Sequence, residues 1–204
     1  MKKHFISAVC AFLPVLGVAG GYEDNGSFEK NTLANGSWVT LANLTDWVGG
    51  AHGIELRNNV AGQAMVGSNF VELDTDQNSS MSQNLMGAAS VLGTVILSFY
   101  YSDRPNTTAA TNGLIVNFGG QVITLAGHTN STTANHWVHY SGIFNLTKKT
   151  GDTLTFRAAG ISDGFGTALD RVTVVAVPEP ETLALMLAGL GMLGVTARRR
   201  NFGR

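Results

Sequence analysis

The sequence predicts an all-β fold, a two-sheet β-sandwich of the jelly-roll type. Between about residues 25 and 175 the apolar segments are short and are separated by Gly, Asn, Ser and Thr. No long stretch places apolar residues at i, i+3, i+4 and i+7, and several segments alternate with a period of two. No repeat of about 20–50 residues is present, which argues against a solenoid or a propeller.

The first half of this region contains five predicted strand segments. They are residues 38–39, 46–48, 54–56, 70–74 and 81–85. The segment 70–74 alternates most clearly, because it places Phe70, Glu72 and Asp74 on one face and the two apolar residues between them on the other.

The second half contains the strongest strand pattern, residues 94–102, which is rich in Val, Ile, Phe and Tyr and ends before Arg104-Pro105-Asn106. Gly119-Gly120 predicts a two-residue hairpin turn between its flanking apolar segments. The remaining predicted strands are residues 114–118, 121–125, 137–146, 154–158 and 168–175. This number of short strands in one domain favours two packed sheets.

The amino-terminal segment, residues 1–20, has the features of a secretory signal peptide. Lys2 and Lys3 precede an apolar stretch over residues 5–18, and small residues follow it at Ala19 and Gly20. This pattern predicts export and removal of the segment by signal peptidase. The only cysteine, Cys10, lies within it, so the processed chain is expected to contain no disulfide.

The carboxyl-terminal segment, residues 177–204, has three parts in a fixed order. The motif Val177-Pro178-Glu179-Pro180 comes first, an uncharged apolar stretch over residues 183–197 follows, and Arg198, Arg199 and Arg200 close it. The prolines exclude the motif from a helix interior or a central strand. The apolar stretch predicts a hydrophobic helix, although a complete membrane span needs roughly 17–25 residues. The arginines indicate that the chain end stays in the cytoplasm.

These three parts together resemble the PEP-CTERM sorting signal of Gram-negative bacteria. The resemblance implies transient anchoring in the inner membrane, recognition by an exosortase, and release or transfer to the cell surface or extracellular matrix. Val177, Pro178, Glu179 and Pro180 would be read by the sorting enzyme. The family is associated with exopolysaccharide and biofilm formation, so the resemblance implies an exopolysaccharide partner.

Removal of both terminal segments leaves one domain, residues 21–176, which is long enough to bury a core. It contains 12 acidic and seven basic side chains, a net charge of −5, whereas the whole chain has a net charge of −1. An acidic domain without a basic cluster argues against a nucleic-acid partner. It is compatible with neutral glycans or with cations.

A second resemblance concerns the domain itself. Asn25-Gly26-Ser27-Phe28-Glu29 resembles the opening of jelly-roll domains in the galactose-binding-like class, which includes many carbohydrate-binding modules. The segments 82–85, 97–101 and 168–172 resemble later strands of that class. The resemblance implies a structural calcium ion held by Glu29 and Asp170, with backbone carbonyls completing the shell of 6–8 oxygen ligands that calcium prefers.

Glycan recognition would use exposed aromatic rings to stack on sugar faces and polar groups to bind hydroxyls. The sequence offers Trp47, Tyr101, Trp137 and Tyr140 as rings. Asp103 and Arg104, at the end of the strongest strand, are the polar candidates. The alternative for each ring is that it fills the core, because aromatic side chains dominate core burial.

Other chemical sites are less well supported by the sequence. Residues 74–78 resemble the first half of a calcium loop but lack its later Gly and Glu. His128, His136 and His139 lack the spacing of a zinc site. Glu72 and Asp74 lie about 7 Å apart along one strand face, near the range of inverting glycosidases. If catalytic they should lie in a cleft, and otherwise on a flat, solvated face.

No nucleophile elbow, phosphate loop or dinucleotide-binding glycine pattern occurs in the chain. We therefore expect a non-catalytic surface or matrix protein associated with exopolysaccharide, with glycan binding as its expected activity. Two other classes stay open. One is a secreted hydrolase acting on glycans, and the other is an adhesive protein that binds proteins through an exposed apolar patch.

Overall fold

The structure is a computed structural model that describes residues 21–85, 93–147, 153–177 and 186–193. Twelve strands in these ranges form two antiparallel sheets of six strands each. The first sheet contains, in spatial order, β1 (Ser37–Leu41), β4 (Ile54–Asn58), β5 (Asn69–Glu72), β12 (Ala168–Ala176), β7 (Gly93–Ser102) and β10 (Val138–Leu146). The second contains β2 (Asn43–Leu44), β3 (Trp47–Gly49), β6 (Ser80–Asn84), β11 (Thr153–Ala158), β8 (Gly113–Phe118) and β9 (Gln121–Ala126).

The predicted jelly-roll sandwich is confirmed, and so is the hairpin at Gly119-Gly120. Phe118 pairs with Gln121, and the two glycines between them have positive φ angles of 56° and 75°. A turn with both central residues in this region matches the twist of antiparallel strands, and glycine adopts it without steric cost. The two-residue strand β2 was not predicted, because two residues are too few to show an alternating pattern.

The main core lies between the sheets and is built by alternating residues of the long strands. Val95, Leu97 and Phe99 of β7 all point inward and are at most 1% exposed. Trp47 fills the centre between Phe28 and Phe156, with ring centroids 5.9 and 6.1 Å away. Burial of such apolar surface is the main favourable contribution to folding.

A second, smaller buried layer lies on the outer face of the first sheet. Segment 59–68, which connects β4 to β5, covers this face. The carbonyl oxygen of Gln63 accepts hydrogen bonds from Asn135 Nδ2 (2.9 Å) and Trp137 Nε1 (3.1 Å). Beneath the segment, Phe70 packs edge-on against Trp137 with ring centroids 6.0 Å apart. All five residues of β4 are consequently buried, on both faces of the strand.

The carboxyl-terminal region is described only in part. A short helix covers 186–193, and Met186, Leu187 and Leu190 on it are exposed. Within the described residues, no helix has the length and apolar character needed to span a membrane. The predicted signal peptide 1–20 and the sorting-signal residues Pro178, Glu179, Pro180, Arg198, Arg199 and Arg200 lie outside the described residues.

The two tryptophans of the amino-terminal half provide a matched test of the core. Trp47 is 1% exposed and Trp38 is 57% exposed. Trp47→Ala should lower the free energy of unfolding by about 3–5 kcal/mol, because it leaves a cavity between the sheets. Trp38→Ala should change it by less than about 0.5 kcal/mol. Urea denaturation of the two variants measures both values, and equal losses would contradict this placement of the core.

Candidate functional site

Four irregular segments meet at one end of the sandwich, which we call the loop end. Strand pairing brings them together, because Ala168 pairs with both Glu72 and Ser102, and Val138 pairs with Tyr101. The β5, β7 and β9 strands therefore end where β8, β10 and β12 begin. The loop end consists of segments 73–79, 103–112, 127–137 and 159–167.

Buried asparagines hold the loop end in shape. Asn112 Nδ2 donates to Thr107 Oγ1 (2.9 Å) and to the carbonyl oxygen of His128 (3.2 Å). Asn130 Nδ2 donates to the carbonyl oxygen of Asp103 (3.0 Å). Both side chains are at most 6% exposed. Buried polar groups that are satisfied in this way give a loop a defined shape.

Three pockets surround segment 127–137. The Tyr101 pocket has a volume of about 450 Å³, the Trp137 pocket about 520 Å³ and the Arg104 pocket about 510 Å³. Polar lining residues are Asp103, His128 and Asn130 in the first, Asn59, Gln63 and Asn135 in the second, and Asn106, Thr111 and Thr133 in the third. Each pocket thus combines at least one aromatic or cationic side chain with polar groups.

Arg104 is held in a defined position at its pocket. Its Nη1 donates to Glu72 Oε1 at 2.7 Å, and its guanidinium lies 4.3 Å from the ring centroid of Phe165. Its backbone N–H donates to Asn112 Oδ1 at 2.9 Å. Phe165 itself is 45% exposed, so its ring forms part of the pocket surface. A cation over an aromatic face is a favourable electrostatic arrangement.

Behind Arg104 lies a buried charge network of four residues. Glu55 and Glu72 are directly opposite each other on β4 and β5. Arg57 forms an ion pair with Glu55, and its Nε lies 3.5 Å from Glu72 Oε2. Burial raises the pKa of Glu72 to about 7, although the charges of Arg57 and Arg104 act to lower it. Burial likewise raises the pKa of Glu55.

The sequence predicted that Glu72 and Asp74 lie either in an open cleft or on a flat, solvated face. In the structure they lie in neither place. Both are 1% exposed. Glu72 Oε1 also accepts from the backbone N–H of Gly166 (2.9 Å), and Asp74 Oδ2 accepts from that of Asp163 (3.0 Å). The segment 163–166 covers them, which the alternation of a single strand could not indicate.

The predicted glycan-binding residues fall into two groups. Tyr101, Asp103, Arg104 and Trp137 are all partly buried residues of the loop-end pockets. Trp47 is not, because its ring is enclosed in the main core and its Nε1 donates to the carbonyl oxygen of Asn25 (3.1 Å). Its expected stacking role is therefore corrected to a core role.

The remaining candidate residues, which are Tyr140, the three histidines and the half calcium loop, do not form one site. Tyr140 stacks on Phe99 at 4.8 Å and belongs to the edge of the core. His128 lies 3.3 Å from Asp103, and His136 contacts Thr132, both at the loop end. His139 instead contacts Tyr100 on the outer face of the first sheet, with ring centroids 4.8 Å apart and the ring planes tilted by 31°. The carboxylates of residues 74–78, the segment that resembles half a calcium loop, do not share one environment. Asp74 is buried, whereas Asp76 is exposed and contacts His52.

Phe165 is the loop-end residue that the sequence analysis missed. It stands between Gly164 and Gly166, in a segment that carries no strand pattern. A large apolar side chain in such a loop has no adjacent core to fill. That feature of the sequence could have identified it as a surface-binding residue.

Glu29 and Asp170 are brought together by the last part of segment 59–68 and the residue after it. Glu29 Oε1 accepts from the N–H groups of Ser68 (2.8 Å) and Asn69 (2.7 Å). Asp170 Oδ2 accepts from those of Met65 (2.8 Å) and Val66 (3.0 Å). Burial raises the pKa of Asp170 to about 7, and the charge of Glu29 adds to this rise.

These residues fit a calcium ion in their chemistry. Asp170 is completely buried, and its carboxyl group accepts hydrogen bonds from the backbone N–H groups of Met65, Val66 and Arg171. Asn69 contributes a buried Oδ1 without a hydrogen-bond partner among the described residues. The described residues contain no cluster of three or more acidic, His or Cys ligands. The shell would therefore rely on neutral oxygen atoms, which calcium accepts.

The charge network should make the stability of the chain depend on pH. Glu55, Glu72 and Asp74 all have raised pKa values when folded, so the folded chain binds more protons than the unfolded chain above about pH 4.5. The free energy of unfolding should therefore fall as the pH rises from about 4.5 to 7. Urea denaturation in the presence of a chelator measures this dependence.

Glu72→Gln should reduce the fall, because it removes one of the two carboxyl groups, Glu72 and Asp170, whose pKa values are raised to about 7. Asp76→Asn is the matched control, since Asp76 is 76% exposed and its pKa is lowered rather than raised. A free energy of unfolding that rises across the same pH window would contradict the assignment of these carboxyl groups.

Comparisons with known proteins concern the tail and the fold. A model of the PEP-CTERM protein-sorting motif matches residues 176–200. No curated protein matches the chain. Among solved structures, a cyclase from Fischerella sp. TAU is similar at 14% identity and a TM-score of 0.53, over 76% of this chain and 96% of that chain.

Two further solved structures are similar to this chain. An arabinose-bound α-L-arabinofuranosidase, MgGH51, matches at 11% identity and a TM-score of 0.51, over 78% of this chain and 26% of that chain. TmCBM61 in complex with β-1,4-galactotriose matches at 18% identity and a TM-score of 0.47, over 77% and 99%. At these identities the similarity concerns the fold alone. The chain thus carries a PEP-CTERM protein-sorting motif at residues 176–200, which follows a jelly-roll β-sandwich in the sequence.

Proposed function

We propose that this chain is a secreted, exosortase-sorted and non-catalytic protein of the Gram-negative cell surface or extracellular matrix, whose loop end binds a glycan of the exopolysaccharide. The sorting motif at residues 176–200 supports export and exosortase processing. The observation that carries glycan binding is the set of three pockets around segment 127–137, each with an aromatic or cationic side chain beside polar groups.

The Trp137 pocket has the composition that a neutral sugar requires. A pyranose presents an apolar face of C–H groups and a rim of hydroxyls. The partly buried ring of Trp137 offers an apolar surface, and Asn59, Gln63 and Asn135 offer amide donors and acceptors around it. The hydrogen bonds from Trp137 and Asn135 to Gln63 hold the ring in place before a ligand binds. Such preorganisation reduces the entropy lost on binding.

The Arg104 pocket adds a fixed donor group. One nitrogen of the guanidinium is occupied by Glu72, and an arginine has further N–H donors for a ligand. Because Glu72 balances its charge, the pocket should recognise hydroxyl groups rather than select anions. The exposed ring of Phe165 provides the adjoining apolar surface.

The state of Glu72 and Asp74 supports a non-catalytic domain. A pair of carboxyl groups that hydrolyses a glycosidic bond needs access to the substrate and to water. Both groups are buried and accept hydrogen bonds from the protein, Glu72 from Arg104 and Gly166, and Asp74 from Asp163.

A structural calcium ion is the second part of the proposal. Glu29 and Asp170 would hold it, with Asn69 Oδ1 and backbone carbonyls as neutral ligands. Its charge would compensate the buried carboxylate of Asp170 and join the opening segment of the domain to β12. The amide donors of Met65, Val66, Ser68 and Asn69 support this proposal, because they place both carboxylates on one short segment.

Retention of the secreted protein on its source's own exopolysaccharide tests the glycan site. Trp137→Ala and Phe165→Ala should each weaken binding about tenfold or more, a loss of about 1.4 kcal/mol, because each removes an apolar contact surface. Trp38→Ala, which alters an exposed tryptophan on β1, is the matched control and should leave binding unchanged. Unaltered binding by both loop-end variants, or no retention of the wild-type protein, would contradict the proposal.

Thermal denaturation with calcium and with chelator tests the metal site. Calcium at about 100 times its dissociation constant should stabilise the domain by about 2.7 kcal/mol, which corresponds to a rise of about 5–10 °C in Tm. Glu29→Gln combined with Asp170→Asn should abolish the rise, whereas Asp76→Asn should retain it. An identical Tm with calcium and with chelator in the wild-type protein would remove the metal from the proposal.

A further inference from the structure

The charges of this chain are distributed unevenly along the sequence. Residues 105–147 contain no Asp, Glu, Lys or Arg, although the domain as a whole has a net charge of −5. This stretch forms β8, β9 and β10 and the segments between them. Since β9 is the last strand of one sheet and β10 the last strand of the other, the strands on one side of the sandwich carry no Asp, Glu, Lys or Arg.

β10 is the longest edge strand among the described residues. It has nine residues, whereas the other edge strands have five (β1), two (β2) and six (β9). It pairs with β7 in continuous register from Val138 to Leu146 without a bulge. Within the described part of the chain no strand pairs with its other side. The N–H and C=O groups on that side are therefore available to another strand.

The usual protection of an edge strand is missing from β10. Edge strands are normally guarded by charged side chains, proline, bulges or short length. β10 contains no charged residue and no proline, and two of its apolar residues are exposed, Val138 at 48% and Ile143 at 67%. The opposite edge of the sandwich differs, because Lys30 forms ion pairs with Asp24 and Asp46 beside β2.

Ile143 also ends an apolar row that crosses three strands of the first sheet. It pairs with Ile96 of β7, which pairs with Val175 of β12. Ile96 and Val175 are partly exposed, so the row lies on the outer face of the sheet and runs up to the free edge. A further strand placed beside β10 would extend this row and cover Ile143.

We propose that β10 is an assembly edge at which two copies of this chain pair in antiparallel orientation and join their first sheets into one continuous sheet. The partner is a second copy because an acidic domain repels itself through its charged surfaces, and the charge-free side is where two copies can approach without like charges in contact. Antiparallel pairing of one strand with itself forms a closed two-fold interface.

This pairing has a consequence for the loop end. The strands of the two copies run in opposite directions, so the two loop ends lie at opposite ends of the dimer. If the proposed glycan site is correct, each dimer carries two outward-facing sites and can connect two polysaccharide chains. The dimer itself rests on the edge strand alone and does not depend on the glycan proposal.

Charge exchange at Ile143 tests the interface in the full chain. Pairing centred on Gly142, the middle of β10, makes the two copies of position 143 diagonal neighbours. Ile143→Lys alone and Ile143→Glu alone should each weaken association at least tenfold, because like charges then meet at the edge. An equimolar mixture of the two variants should restore the dimer. Sedimentation equilibrium in a mild detergent, over a range of concentrations, measures all three.

Val48→Lys and Val48→Glu are the matched controls, since Val48 is 62% exposed on β3 of the other sheet. Both Val48 variants should associate as the wild-type chain does. If the apolar tail caused the association instead of β10, the Ile143 variants would also associate as the wild-type chain does. Amide hydrogen exchange should slow across residues 138–146 as the concentration rises. A wild-type chain that stays monomeric, or association that ignores the Ile143 variants or protects a different strand, would overturn the proposal. Sedimentation and hydrogen exchange are both measured without a glycan, so a failure of the dimer proposal is distinguishable from a failure of the proposed glycan site.

Discussion

The structure depends on segment 59–68 and the first residue of β5, which cover the outer face of the first sheet with backbone hydrogen bonds. The carbonyl oxygen of Gln63 fixes Trp137, the N–H groups of Met65 and Val66 bind Asp170, and those of Ser68 and Asn69 bind Glu29. One connection therefore positions a glycan-pocket ring and both proposed calcium ligands. A jelly roll without this cover would expose the same face to solvent.

The cover also explains why charged residues are buried in this domain. Glu55, Arg57 and Glu72 alternate with core residues on β4 and β5, so they lie on the outer face. There Arg57 meets the carbonyl oxygen of Val60 in the segment, and segment 163–166 covers Glu72. Burial of charges is costly, and the ion pairs with Arg57 and Arg104 offset much of that cost. The network provides geometry more than stability, because it holds Arg104 at the surface of its pocket.

The domain is divided into a side that holds charges and a side that has none. The ion pairs of Lys30, the buried network around Glu72 and the Glu29–Asp170 pair lie outside β8, β9 and β10. The side formed by β8, β9 and β10 presents threonines, asparagines and exposed aliphatic residues. Neutral ligands and a second copy of the chain are the partners that such a surface can accept without desolvating a charge.

The sequence alone determined what depends on neighbours along the chain. The strands follow from alternation, the hairpin from Gly119-Gly120, and the sorting motif from three adjacent parts. Only the tertiary structure decided which rings and carboxylates reach a ligand. Trp47 and Trp137 both lie in or beside strands, yet the core encloses the first and a pocket exposes the second. Alternation assigns a side chain to a face of its sheet, but what covers that face comes from segments distant in sequence.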